Sequence, residues 1–100
     1  MTLEFEWDPI KALTNIGKHG ISFELAAAVF RDSNALSIPD LDHSTSREHR
    51  WITIGLDRNA NLLVVVHTFA RQSAEQALIR IISARPATRQ EARDYEEQAV

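Results

Sequence analysis

Five apolar residues in a row, Leu62-Leu63-Val64-Val65-Val66, constrain this chain more than any other feature. Three are β-branched, which favours a strand. A strand with one solvated face alternates apolar and polar residues, and this one does not. It therefore predicts a central strand, running to Phe69, with cover on both faces. Two alternating stretches flank it. Arg50, Ile52, Ile54 and Leu56 interleave with Trp51, Thr53 and Gly55, while Ala77 to Ala84 forms a third strand. Asp57-Arg58-Asn59-Ala60-Asn61 supplies the turn between the first two. Together they predict an antiparallel meander.

Upstream, Leu3, Phe5 and Trp7 alternate with Thr2, Glu4 and Glu6, the pattern of another strand. Asp8-Pro9 predicts a helix start and Gly20 its stop. Ile10, Leu13 and Gly17 share one side of this helix. Lys11, Asn15, Lys18 and His19 share another, which reads as a solvated polar stripe. Ser22 caps a second helix, whose stripe is Phe23, Ala26, Ala27 and Phe30. Ala35 to Ile38 is a short edge strand before Pro39, and Asp40 to Ser46 an exposed loop. Thr88 and Glu91 form a capping box for a last helix. Its apolar face is only Ala92, Tyr95 and Ala99, so packing should hold it weakly. The expected class is α+β: an N-terminal strand, two helices, an antiparallel meander and a C-terminal helix, in one domain over residues 1–100.

Cysteine is absent, so disulfides, thiolate zinc sites and a cysteine nucleophile are excluded. His43, His49 and His67 lack metal-site spacing, and the three scattered glycines build no phosphate loop. No cofactor is expected. No apolar run reaches membrane-spanning length and the amino terminus is acidic, which suggests a cytoplasmic setting. The net charge of −3 argues against a nucleic-acid protein until it is divided. Residues 1–46 hold three bases against seven acids, residues 47–93 eight arginines against four acids, and residues 94–100 three acids.

That basic block is all arginine, the side chain whose planar fork matches phosphate or carboxylate. It is either solvated surface or a site. Arg80 should share a strand face with Leu78 and Ile82, with Ser83 and Arg85 on the opposite face. A guanidinium among apolar neighbours needs a partner, either a structural glutamate or a bound phosphate. Glu48 is a candidate general base beside Arg50. Lys18 and His19 end the first helix, where the dipole favours cations; a protonated His19 could donate a proton. Arginines beside a carboxylate or imidazole suffice for metal-free RNA cleavage, in which a base removes the 2′-hydroxyl proton and cations stabilise the phosphorane.

The residues Phe5-Glu6-Trp7-Asp8, Lys11, Asn15, Lys18-His19-Gly20-Ile21, Phe23, Ala26, Phe30 and Asp32 resemble the opening of the BrnT toxin family. Arg50-Trp51, Ile54-Gly55, Leu63-Val64-Val65-Val66 and Arg80-Ile81-Ile82-Ser83-Ala84-Arg85 continue the resemblance. Ala87, Thr88, Glu91 and Tyr95 end it, so it spans residues 5–95. The resemblance implies a type II toxin with a RelE-like ribonuclease fold, cleaving RNA without metal. It also implies silencing by a small BrnA antitoxin, a ribbon-helix-helix protein through which alone the complex meets DNA. The motif positions carried over are Lys18, His19, Arg50, Arg80, Ser83 and Arg85. Candidate catalytic residues are Lys18, His19, Glu48, Arg50, Arg80 and Arg85, and candidate RNA contacts are Lys11, Lys18, Arg50, Arg80, Ser83 and Arg85. The sequence departs from the family at His49, where a second acid is expected, and at Pro86, where a base is commoner. Two rival readings are a non-catalytic partner-binding module within a repressor and, ranked last, direct DNA binding by the arginines.

Overall fold

The computed structural model of the chain describes residues 1–98. Its centre is β4 (Leu62–Arg71), flanked by antiparallel β3 (Arg50–Leu56) and β5 (Gln76–Pro86). The edge strand β2 (Leu36–Pro39) runs antiparallel to β3, and β1 (Thr2–Glu6) runs parallel to β5 on the other side. The α+β class and the meander are as the sequence predicts. Leu63, Val64 and Val65 are all buried, so the central strand is covered on both faces. On one face, Leu63, Val65, Ile79, Ile81 and Ala84 pack against Ile21, Phe23, Ala26 and Val29. On the other, Ile54 and Val64 pack against Tyr95 in a smaller cluster. That thinner cover leaves the far end of the second face open.

Two helices make the first layer. In α1 (Pro9–His19), the Asp8 carboxylate accepts the Ile10 N–H at 2.8 Å, and Gly20 takes the left-handed stop at φ 69°. In α2 (Phe23–Ala27), the Ser22 hydroxyl caps the Leu25 N–H at 3.2 Å. The chain then tightens into a 3-10 turn over Ala28–Arg31. With about three residues per turn there, Val29 follows Phe23 and Ala26 into the core. Ala27 and Phe30, expected on the main stripe, pack at its margin.

The polar stripe expected on α1 is not solvated along its length. Asn15 is only 5% exposed, while Ile10 and Leu13, from the apolar side, are 74% and 71% exposed. The pairing of β1 with β5 stops at Glu6 opposite Arg80, so Ala84, paired with Val65 on its inner side, has no strand on its outer side. The Asn15 carboxamide takes that strand's place. Its oxygen accepts the Ala84 N–H at 3.1 Å, and its NH2 donates to the Ala84 carbonyl at 2.8 Å and the Ile21 carbonyl at 2.9 Å. Leaving those backbone groups orphaned costs about 1–3 kcal/mol each, comparable to or more than burying a leucine gains. The helix therefore turns its amide inward and its aliphatic residues out.

The last helix, α3 (Arg89–Gln98), starts with the predicted capping box: the Thr88 N–H donates to Glu91 at 2.8 Å and the Glu91 N–H to the Thr88 hydroxyl at 3.2 Å. Of its expected apolar face, Ala99 lies outside the described residues. Polar clamps supplement the small Tyr95 contact. The Tyr95 hydroxyl donates to Asp32 at 2.6 Å, Gln98 donates to the Asn34 carbonyl, and Arg85 holds Glu91.

Candidate nucleic-acid interface

A β-bulge decides which side chains share a face. Opposite β4, Val66 pairs with Ser83 but His67 pairs with Ile81, leaving Ile82 as an extra residue. Arg80, Ser83 and Arg85 therefore face Thr68, Val66 and Val64, three alternate residues on one side of β4. Regular alternation predicts Ser83 and Arg85 opposite Arg80, and Arg80 beside Ile82. The bulge reverses the first and leaves Ile82 without a register partner on β4. It also keeps Ile79, Ile81 and Ala84 in the core.

Arg50, Thr68, Arg80 and Glu6 are register partners across four strands, forming one row on the open end of this face. The Arg50 guanidinium donates to Glu48 at 2.8 Å. Its backbone is held from the preceding loop, whose Ser44 hydroxyl accepts the Arg50 N–H at 2.9 Å. Arg80 lies 3.4 Å from Glu6, with both side chains nearly half exposed, 43% and 46%. A glutamate does partner Arg80, and it comes from the acidic amino-terminal segment. β1, pairing directly with β5, brings this acid to the arginine.

Arg85 is engaged differently. Its two terminal nitrogens meet both Glu91 oxygens at 2.7 and 2.8 Å. This fork holds the Glu91 carboxyl down at about 2, the Arg85 bond outweighing burial with help from Thr88, and raises Arg85 above its ordinary value. Nearby, the Tyr95 hydroxyl is pushed up to about 12 by its bond to Asp32 and by burial, so it stays a donor. Arg85 thus ties α3 to the sheet.

Lys11, Lys18 and His19 meet Ser83 and the bulged Ile82 around a cleft of about 250 Å³ at the β5 edge. Lys18 and His19 lie in the last turn of α1, where the helix dipole complements cations. Ser83 joins the two groups, since it lines this cleft and follows Arg80 along the same sheet face. The result is a cationic surface suited to phosphate, with the His19 imidazole lining one cleft beside it and the Glu48 carboxylate another. Among the described residues, no group of three or more His, Cys, Asp or Glu could hold a metal ion, and no helix could cross a membrane.

Sequence reasoning missed Glu6 and Thr68 as members of the row, because cross-strand register is invisible to local pattern. It also missed a relay that runs from exposed Ser37 to the buried Thr53 and His67. Ser37 and Thr53 hydroxyls lie 2.7 Å apart, Thr53 lies 2.7 Å from His67 Nε2, and His67 Nδ1 lies 3.1 Å from the Thr68 carbonyl. Burial holds His67 below its ordinary value despite the Thr68 contact, and the Phe30 ring meets it edge-on at 4.7 Å.

Fold and surface together define a small α+β domain with a phosphate-suited cationic face. Comparison makes the class particular. The model of the family described as "Ribonuclease toxin, BrnT, of type II toxin-antitoxin system" matches residues 7–91, and the chain belongs to that family. Its structure is similar to the crystal structure of the Brucella abortus ribonuclease toxin, BrnT, at 26% identity and a TM-score of 0.56, covering 88% of this chain and 100% of that one. No curated protein matches the chain.

Proposed function

We propose that this protein is an endoribonuclease that cleaves RNA by 2′-hydroxyl attack without a metal. The carrying observation is the bulge, which sets Ser83 beside Arg80 on the same open face as Arg50, next to the Lys18 and His19 cleft. In this reading Arg50, Arg80 and Lys18 hold the scissile phosphate, while Lys11 and Ser83 support the neighbouring backbone. Glu48 or His19 takes the 2′-hydroxyl proton. The 2′-oxygen forms its bond to phosphorus as the P–O5′ bond breaks, and the leaving 5′-oxygen receives a proton. Arg85, already occupied by Glu91, seats α3 and reaches RNA only when that pair opens. The partner is a BrnA-type antitoxin, which carries any contact with DNA, and the setting is the cytoplasm.

One observation favours the rival, non-catalytic reading: Arg50, Arg80 and Arg85 each already face a carboxylate. Exposed pairs such as Arg80–Glu6 are worth only about 0–1 kcal/mol, however, so a phosphate displaces the carboxylate readily. Incubating purified protein with bulk RNA in EDTA separates the readings. Cleavage with 5′-hydroxyl ends is expected, slowed roughly 10²-fold or more in Arg80→Ala, as for loss of a transition-state charge partner. Intact RNA, with wild type and Arg80→Ala alike, overturns the catalytic reading.

A further inference from the structure

We infer that the cleft walled by Trp51 and Phe69 seats one unstacked RNA base, preferring one whose edge carries an amino group. The inference rests on the ribonuclease reading and adds a base contact to it. The cleft, about 280 Å³, is lined by Ser37, Trp51, His67 and Phe69. Phe69 is 44% exposed, although the strand around it is largely apolar. Aromatic walls with few polar groups are how proteins hold splayed single-stranded bases.

Continuity with the cationic row argues for RNA as the occupant. Phe69 also lines a second cleft, of about 320 Å³, with Arg47, Glu48, His49 and Thr68. Thr68 is the register partner of both Arg50 and Arg80. A strand whose phosphate lies on that row therefore passes Arg47 and His49 over the end of β4 and meets Phe69 on the other side. An apolar protein side chain would gain nothing from these cations.

The relay sets what the cleft offers a base. The Thr68 carbonyl can only accept, so His67 carries its proton on Nδ1 and its Nε2 accepts. Thr53 then spends its proton on His67, and Ser37 spends its own on Thr53. Lone pairs of Ser37 are what remains, so the polar edge of the cleft accepts. Adenine and cytosine present an exocyclic NH2 with two donor hydrogens there, whereas uracil has no amino group and its single N3–H is flanked by two carbonyls that a lone pair repels.

The test uses short 2′-O-methylated oligoadenylate, oligocytidylate and oligouridylate, which lack the attacking hydroxyl and cannot be cleaved by the proposed route. Binding is read by anisotropy of labelled oligonucleotide, and in the Trp7→Phe variant also by the fluorescence of Trp51, then the sole tryptophan. Oligoadenylate and oligocytidylate should quench Trp51 and bind more tightly than oligouridylate. Phe69→Ala should weaken oligoadenylate binding about tenfold, the loss of one base–aromatic stack. Ser37→Ala should erase the preference over oligouridylate. Oligonucleotides that bind with Trp51 unquenched and Phe69→Ala unaffected overturn this inference and leave the ribonuclease reading standing. No binding by any of them, together with no RNA cleavage, overturns both. Quenching by none of them leaves the cleft to a protein side chain and likewise overturns the base seat.

Discussion

Glu91 and His67 are both held deprotonated in the folded chain, one by an ion pair and the other by burial, so both penalise acid. The Glu91 carboxyl sits at about 2 when folded, against an ordinary 4.5, so its pairing with Arg85 contributes fully above pH 4.5 and is lost as pH falls towards 2. Asp32 adds to the same acid step: burial pushes it up, but the Tyr95 hydroxyl and the Leu56 and Asn34 amides together pull it lower. His67 is a base kept neutral by burial, so the unfolded chain binds the extra proton and stability declines as pH drops through about 6.5. Urea midpoints should therefore fall in two stages, one near pH 6.5 and one below 4.5. Glu91→Gln should cost roughly 1–2 kcal/mol at neutral pH, a charge-assisted bond lost, and should shrink the acid stage. Of these residues, Glu91 was visible in the sequence as a capping-box acid. That it also holds Arg85 was not, because its partner lies across a turn in a different element.

At the scale of elements, α1 and the β5 bulge show where pattern reading succeeds and where it stops. The helix ends at Asp8 and Gly20 follow from local backbone chemistry, which the sequence carries in full. Its orientation does not, because the orphaned Ala84 amide exists only once β1 has ended at Glu6. Asn15→Ala should cost about 3 kcal/mol in urea unfolding, since it leaves buried backbone groups unpaired. Leu13→Lys, a substitution that would be severe in a core helix, should stay within about 0.5 kcal/mol. The bulge is hidden for a similar reason. Ile82 looks like any strand isoleucine, and only competition between the core positions Ile81 and Ala84 forces one extra residue between them. Without that phase shift Arg80 and Ser83 would lie on opposite sides of the sheet.

For the whole molecule, the net charge of −3 averages over an acidic majority and one cationic face. If Lys11, Lys18, Arg50 and Arg80 each neutralise one phosphate, the logarithm of single-strand affinity should fall with the logarithm of salt at a slope of about −3. Arg80→Ala should flatten that slope by about 0.7, measured with an uncleavable oligonucleotide between low and physiological salt. The acids do not stay apart from this face, since Glu6 and Glu91 both reach it. The sequence by itself determined the α+β class, the doubly covered central strand, the caps of all three helices and most residues that line the cationic surface. Each of these follows from interactions within a few residues or from hydrophobic period. Only the tertiary structure decided which face those residues share, which acid meets which arginine, and which side of α1 is buried. Those depend on where a neighbouring strand stops and on a one-residue slip in register, and both are set by packing between segments far apart in the chain.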